Sequence, residues 1–185
     1  MATAANTNTY TYNLFDQLST DTQTHQTTIN NTQTFNLNKA LSYDNANRLL
    51  NIQNNGTINA RNYYNPLGQL AEKKLHLISG EIFAQGIDYK YNSRAWVKDI
   101  NQSSLTGGGD GDLFAEKLAY QANGNIVGTE VRSAYPQSGS LTATNLDFTY
   151  GYDTRNRLLS TTNLAADLNR YNETFSYDNA GNILN

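Results

Sequence analysis

Cysteine is absent from the 185 residues, so disulfides and thiolate metal sites are excluded and the redox compartment cannot be read. Proline occurs twice, methionine and tryptophan once each, and histidine twice. Charge is sparse at 16 % of residues, with a net −3 and no run of more than two basic side chains. That excludes an electrostatic grip on nucleic acid or on an acidic membrane surface. No segment approaches the roughly 18 consecutive apolar residues of a membrane span. The opening MATAANTNTY lacks the basic start and apolar centre of a secretory leader, and it reads as a cut into a longer protein.

What the chain does contain is tyrosine, thirteen copies of it, set among abundant Asn and Thr. That composition describes strands joined by Asn-rich turns, with few helix formers. Seven segments align on one tyrosine: 12–18, 43–49, 64–70, 91–97, 120–126, 152–158 and 177–183. They read YNLFDQL, YDNANRL, YNPLGQL, YNSRAWV, YQANGNI, YDTRNRL and YDNAGNI. The tyrosines stand 31, 21, 27, 29, 32 and 25 residues apart, so length varies between units while the seven-residue unit is constant.

Column one is Tyr12, Tyr43, Tyr64, Tyr91, Tyr120, Tyr152 and Tyr177. Two residues before each stands Tyr10, Leu41, Asn62, Tyr89, Leu118, Tyr150 or Phe175, and side chains two apart in a strand share a face. Each unit thus opens with a strand offering large groups to one side, Asn62 being the exception. Column two is Asn, Asp or Gln, including Asp44, Asp153 and Asp178, whose short side chains can accept a backbone N–H two residues on. Column five holds Asp16, Asn47, Gly68, Ala95, Gly124, Asn156 and Gly181. Six of these tolerate the positive φ that closes a type I turn into a four-residue hairpin loop, Ala95 does not, and Pro66 sits where such a turn accepts proline. Column seven is always Leu, Val or Ile, restarting the apolar pattern on the returning strand.

Strand, tight turn, strand, seven times over, predicts an all-β array of consecutive antiparallel hairpins forming one domain over 1–185. A lone hairpin is marginal in water, so successive hairpins must shield one another. The tyrosines are expected to stack as a ladder and bury their rings. Further strands are expected at 20–28 and 31–38, a long loop at 103–114, and at 113–120 either a short helix or a strand with Phe114, Glu116, Leu118 and Tyr120 on one side.

FSYDNAGNIL (175–184), LSYDNANRLL (41–50) and FTYGYDTRNRLL (148–159) carry a recognisable signature. The pattern Y-D-x-x-G-N/R-L/I with an aromatic two positions back resembles the YD-repeat, or rearrangement-hotspot (Rhs), family. The resemblance implies a ribbon of hairpins spiralling into a shell or barrel, as in bacterial polymorphic toxins, insecticidal toxin complexes, teneurins and large bacterial surface proteins. It implies a secreted or cell-surface location, with adjacent repeats of a parent polypeptide as partners. Self-cleaving members carry Asp-Pro and Asn-Asn-Pro motifs downstream. Here Pro66 follows Asn65 and Pro136 follows Tyr135, so cleavage is not carried over.

Other candidates have plain alternatives. Asp110 and Asp112 in GGGDGD suggest a calcium turn, yet calcium wants six or more oxygens and a structural loop explains them better. His25 and His76 are 51 residues apart without a second ligand nearby, and no metal site or other cofactor is expected. Asp44, Asp153 and Asp178 suit turn acceptors better than catalytic acids, and no nucleophile elbow, phosphate loop or zinc motif occurs. The chain is expected not to be an enzyme. Column six (Gln17, Arg48, Gln69, Trp96, Asn125, Arg157, Asn182) is expected on the face opposite column seven, a polar stripe able to bind a glycan or protein with Trp96 as platform. Strand edges left bare at either end would favour homo-oligomers. The functional expectation is a structural wall, spacer or scaffold, with a binding module and a self-assembling oligomer as the alternatives.

Overall fold

The computed structural model describes residues 3–28, 32–101, 112–137, 140–164 and 171–184. Thirteen strands account for most of them: β1 (Thr3–Tyr12), β2 (Leu18–Thr28), β3 (Thr32–Tyr43), β4 (Leu49–Asn54), β5 (Thr57–Tyr64), β6 (Leu70–Ser79), β7 (Ile82–Tyr91), β8 (Val97–Ile100), β9 (Phe114–Tyr120), β10 (Ile126–Gln137), β11 (Ser140–Tyr152), β12 (Leu158–Asn163) and β13 (Glu173–Thr174). No helix occurs among the described residues, and the fold is all-β. The stretch 113–120, open between helix and strand in sequence, is β9. Of the expected loop at 103–114, residues 103–111 lie outside the described residues, and Asp110 with them.

Two compact units divide the chain, Met1–Gly86 and Ile87–Asn185, with three and four tyrosine turns respectively. In the first, β1 to β6 pair antiparallel in chain order. In the second, which begins within β7 at Ile87, the strands through β13 do the same. Among the described residues backbone pairing joins consecutive strands, as a hairpin array requires, and Arg61 of β5 also reaches over the Phe83 ring of β7 at 5.4 Å.

Register explains why the seven-residue unit is invariant. At each of the first six turns the tyrosine pairs with the column-seven aliphatic, and the ladder then skips one residue: Tyr12 faces Leu18 while Thr11 faces Thr20, and Tyr152 faces Leu158 while Gly151 faces Ser160. A bulge of this kind puts two residues opposite one and increases the local twist. It keeps the tyrosine, its column-seven partner and the residue two before the tyrosine on one face.

That face is apolar, carrying for example Leu41, Ile52, Ala60 and Leu75 in successive paired positions. The opposite face is polar. Asp99, Lys117, Glu130 and Asp147 stand side by side across four strands, with Lys117 Nζ 2.9 Å from Glu130 and Arg132 paired to Asp147. Lys117 and Glu130 are opposite charges directly across the ladder, a favourable pairing, while Glu130 faces the like-charged Asp147 and Arg132 forms ion pairs with both.

Burial is slight for a chain of this length. Among the described residues the only buried apolar side chains are Ala60 and Ala115, and no large side chain is completely enclosed. The accessible surface is 12369 Å². A compact monomer of the same mass would expose about 8900 Å².

Candidate functional site

The tyrosine turns are where the sequence concentrates its recurring chemistry, and they share one construction. The N–H of column two donates to the carbonyl of column six, and the N–H of column five donates back to the carbonyl of column two. For the second turn these bonds, Asp44 to Arg48 and Asn47 to Asp44, measure 2.9 and 3.0 Å, and both recur in all seven turns. Column five takes positive φ throughout, from 57° at Asp16 to 99° at Gly124. Ala95, the residue least suited to that region, adopts it as well at φ 63°, held by the bonds on either side. At Gly124 glycine meets two demands, since an added Cβ would also lie 3.3 Å from the Trp96 ring.

Column two supplies the cap. One side-chain oxygen of Asn13, Asp44, Asn65, Asn92 or Asp153 accepts the N–H groups of columns four and six at 2.8–3.1 Å. Asp178 takes the N–H of Asn182 at 2.8 Å in the same way. Gln121 is one methylene too long, and Asn123 accepts from the Asn125 N–H in its place at 3.1 Å. These donors favour the charged carboxylate. The Arg48 N–H beneath Asp44, the Arg157 N–H beneath Asp153 and the Asn182 side-chain amide beside Asp178 hold all three acids below their ordinary value of 3.8.

The remaining atom of column two chooses column six. Asp44 and Asp153 receive the Nε of Arg48 and Arg157 at 2.7 and 2.6 Å, and Asp178 receives the Asn182 amide at 2.7 Å. Asn13 and Asn65, having a donor to place, give it to the carbonyl oxygens of Gln17 and Gln69 at 2.9 and 2.8 Å. The acidic caps take a donor, and the amide caps Asn13 and Asn65 take an acceptor.

Tyrosine joins one turn to the next. The phenol O–H of Tyr43 donates to the carbonyl of Leu18, Tyr64 to Leu49, Tyr120 to Val97, Tyr152 to Ile126 and Tyr177 to Leu158, at 2.6–2.9 Å. In each case the acceptor is column seven of the preceding turn. Asn62, the exception two places before its tyrosine, adds its own amide to the same Leu49 carbonyl at 3.0 Å. Burial pushes the phenols of Tyr91, Tyr120 and Tyr152 above the ordinary tyrosine value.

Two expectations are corrected by this geometry. The rings are half-buried, with Tyr12 exposed at 61 %, and the ladder runs through phenol oxygens and backbone carbonyls instead of ring upon ring. Column six does not form a separate polar stripe. Arg48 lies over the Tyr64 ring at 4.4 Å, Trp96 meets Tyr120 with centroids 5.2 Å apart, and Arg157 lies over Tyr177 at 4.5 Å. Gln17 reaches the Asn47 carbonyl at 2.9 Å. The left-handed residue at column five breaks the alternation on which the expected facing rested, and turns column six toward the following turn.

His25 bonds Asn6 and lies far along the strands from any turn. Among the described residues no group of three His, Cys, Asp or Glu is placed to hold a metal ion. Asp112 is buried.

A second device escaped sequence reading. Asn55 and Asn101, both left-handed at φ 48° and 56°, close the far ends of return strands with their side chains acting as a strand would. Asn55 Oδ1 accepts the Asn38 N–H at 2.8 Å, and Asn101 Oδ1 accepts that of Asp88 at 2.7 Å while its amide donates to the Phe114 carbonyl at 2.8 Å. Asn55-Gly56 is the strongest short hairpin signal in the chain, a two-residue loop with both φ positive, and it stands outside the tyrosine alignment.

No protein-family model matches the chain, and no curated protein does. Solved structures do. The crystal structure of TcdB2-TccC3-Cdc42 matches 94 % of this chain with a TM-score of 0.68 at 19 % identity. The chain has the YD-repeat fold. The Photorhabdus luminescens Tc holotoxin pore carrying TccC3-D651A matches over 94 % at a TM-score of 0.67, also at 19 % identity. The chain spans only 9 % of the length of either toxin chain it matches.

Proposed function

We propose that the chain is a non-enzymatic stretch of hairpin wall within a large, toxin-like protein that is secreted or held at the cell surface. One observation carries the reading: the recurring side chains of the turn unit, the exposed Tyr12 apart, are spent on their own turn or on a neighbouring one. The aspartates cap backbone N–H groups, the tyrosines tie hairpin to hairpin, and column six packs on the following ring. Machinery of that kind builds a continuous wall. The likeness to Tc toxin structures and the small share of them that the chain spans support a role as part of something larger. Adjacent repeats of the parent polypeptide are the partners this reading requires.

An immunoblot of the producing cells, before and after protease treatment of intact cells, tests it. The expected result is a band far above 20.6 kDa that is released to the medium or digested from outside. A free 20.6 kDa cytoplasmic protein would overturn the reading, as would ester, phosphoester or glycoside hydrolysis that disappears in Asp153→Asn.

A further inference from the structure

Away from the turns, the first three strands carry a surface that the wall does not use. Register places Asn6, His25 and Phe35 side by side across β1, β2 and β3, with Asn8, Gln23 and Leu37 in the next row and Tyr10, Asp21 and Lys39 in the one after. Asn6, Asn8, Gln23, His25, Phe35 and Leu37 line an open groove on this face. Phe35 is 67 % exposed and Tyr10 49 % exposed, at opposite corners of the grid. Two steps of two residues along a strand and two strands across separate those corners by roughly 17 Å.

The row Leu41, Ile52, Ala60 and Leu75 on the same face is aliphatic, whereas here an exposed aromatic pair frames amides. The chemistry is specific. Three planar amides and an imidazole each present donors and acceptors to a ligand dense in hydroxyls, while the two rings offer flat apolar platforms for the C–H faces of sugar rings. Some polar atoms are already engaged: Asn6 with His25, Asn8 Nδ2 with the Tyr10 hydroxyl at 3.5 Å, and Gln23 Nε2 with Asp21 Oδ2 at 3.3 Å. The other carboxylate oxygen of Asp21 is buried and takes no hydrogen bond. Asp21 and Lys39, the nearest charges on this face, oppose one another in register and cancel, which disfavours an ionic ligand.

We propose that the β1–β3 face binds a neutral oligosaccharide, seated on Phe35 and Tyr10 with Asn6, Asn8 and Gln23 meeting its hydroxyls. This inference does not rest on the wall reading. It also moves any glycan site away from Trp96, whose ring is packed against Tyr120.

Isothermal titration of the whole chain with β-1,4-linked hexasaccharides of glucose, mannose, xylose and N-acetylglucosamine, alongside a proline-rich peptide, is the test. At least one sugar should bind. Phe35→Ala, Tyr10→Ala and Asn8→Ala should each weaken it about tenfold or more, while Phe35→Trp preserves it and Leu67→Ala, on a distant turn, leaves it unchanged. Phe35 and Asn8 are exposed, so their variants keep the fold, which circular dichroism verifies. Absence of binding to all four sugars, binding indifferent to Phe35→Ala, or binding of the peptide alone would overturn the proposal.

Discussion

At Ala95 a residue with a Cβ is held in a backbone region that costs an ordinary L-residue roughly 1–2 kcal/mol, part of which glycine returns as unfolded-state entropy. Ala95→Gly should therefore stabilise the chain by about 1 kcal/mol in a urea titration. Stability unchanged or lowered would mean that the fourth turn relaxes by another route. The pairing of columns two and six makes a second residue-level claim. Asp153→Asn leaves the Arg157 guanidinium facing a donor, whereas Asp153→Asn with Arg157→Gln recreates the pair seen at Asn13–Gln17 and Asn65–Gln69. The single change should lower the urea midpoint and the double change should recover at least half of the loss. A double mutant no better than the sum of its parts would show that the two columns are chosen independently.

At the scale of the hairpin, the capping acids make the fold sensitive to acid in a defined direction. Asp44, Asp153 and Asp178 are held below 3.8, so each binds its proton less readily folded than unfolded. Their contribution is complete above that value and is lost as pH falls through the depressed folded values beneath it. The thermal midpoint should be flat from about pH 7 to pH 5 and drop below about pH 4, and replacing all three with Asn should flatten the drop. A midpoint that falls on going from pH 5 to pH 7 would contradict the capping role. The hairpin is also where sequence reading succeeded, because strand, cap and left-handed residue are all local choices of residue type. Tyr12 to Leu18 alone specifies its turn. The contacts between turns were less legible: that Trp96 rests on Tyr120 depends on the bulge and on the rotation at column five, neither of which periodicity reveals. Asn101 was hidden for a related reason, since its partners Asp88 and Phe114 lie thirteen residues to either side.

Each unit, taken as a whole, is held by neighbour-to-neighbour joints, with almost no enclosed core. With 12369 Å² exposed, less area is released on unfolding than from a compact domain of equal length. The urea dependence of unfolding free energy should accordingly be shallower than such a domain shows, and a slope typical of a compact 185-residue protein would argue for burial that this sheet does not provide. Stability of this kind depends on each joint, and the joint common to the turns is the phenol-to-carbonyl bond. The direct measurement is a Tyr→Phe series in chemical denaturation, one variant at a time. Tyr43, Tyr64, Tyr120, Tyr152 and Tyr177 should each lose about 1 kcal/mol, as removal of a hydrogen bond does, while Tyr12→Phe changes nothing beyond error. Five variants as stable as the parent chain, or a loss at Tyr12 equal to the others, would contradict the tyrosine as the joint between turns.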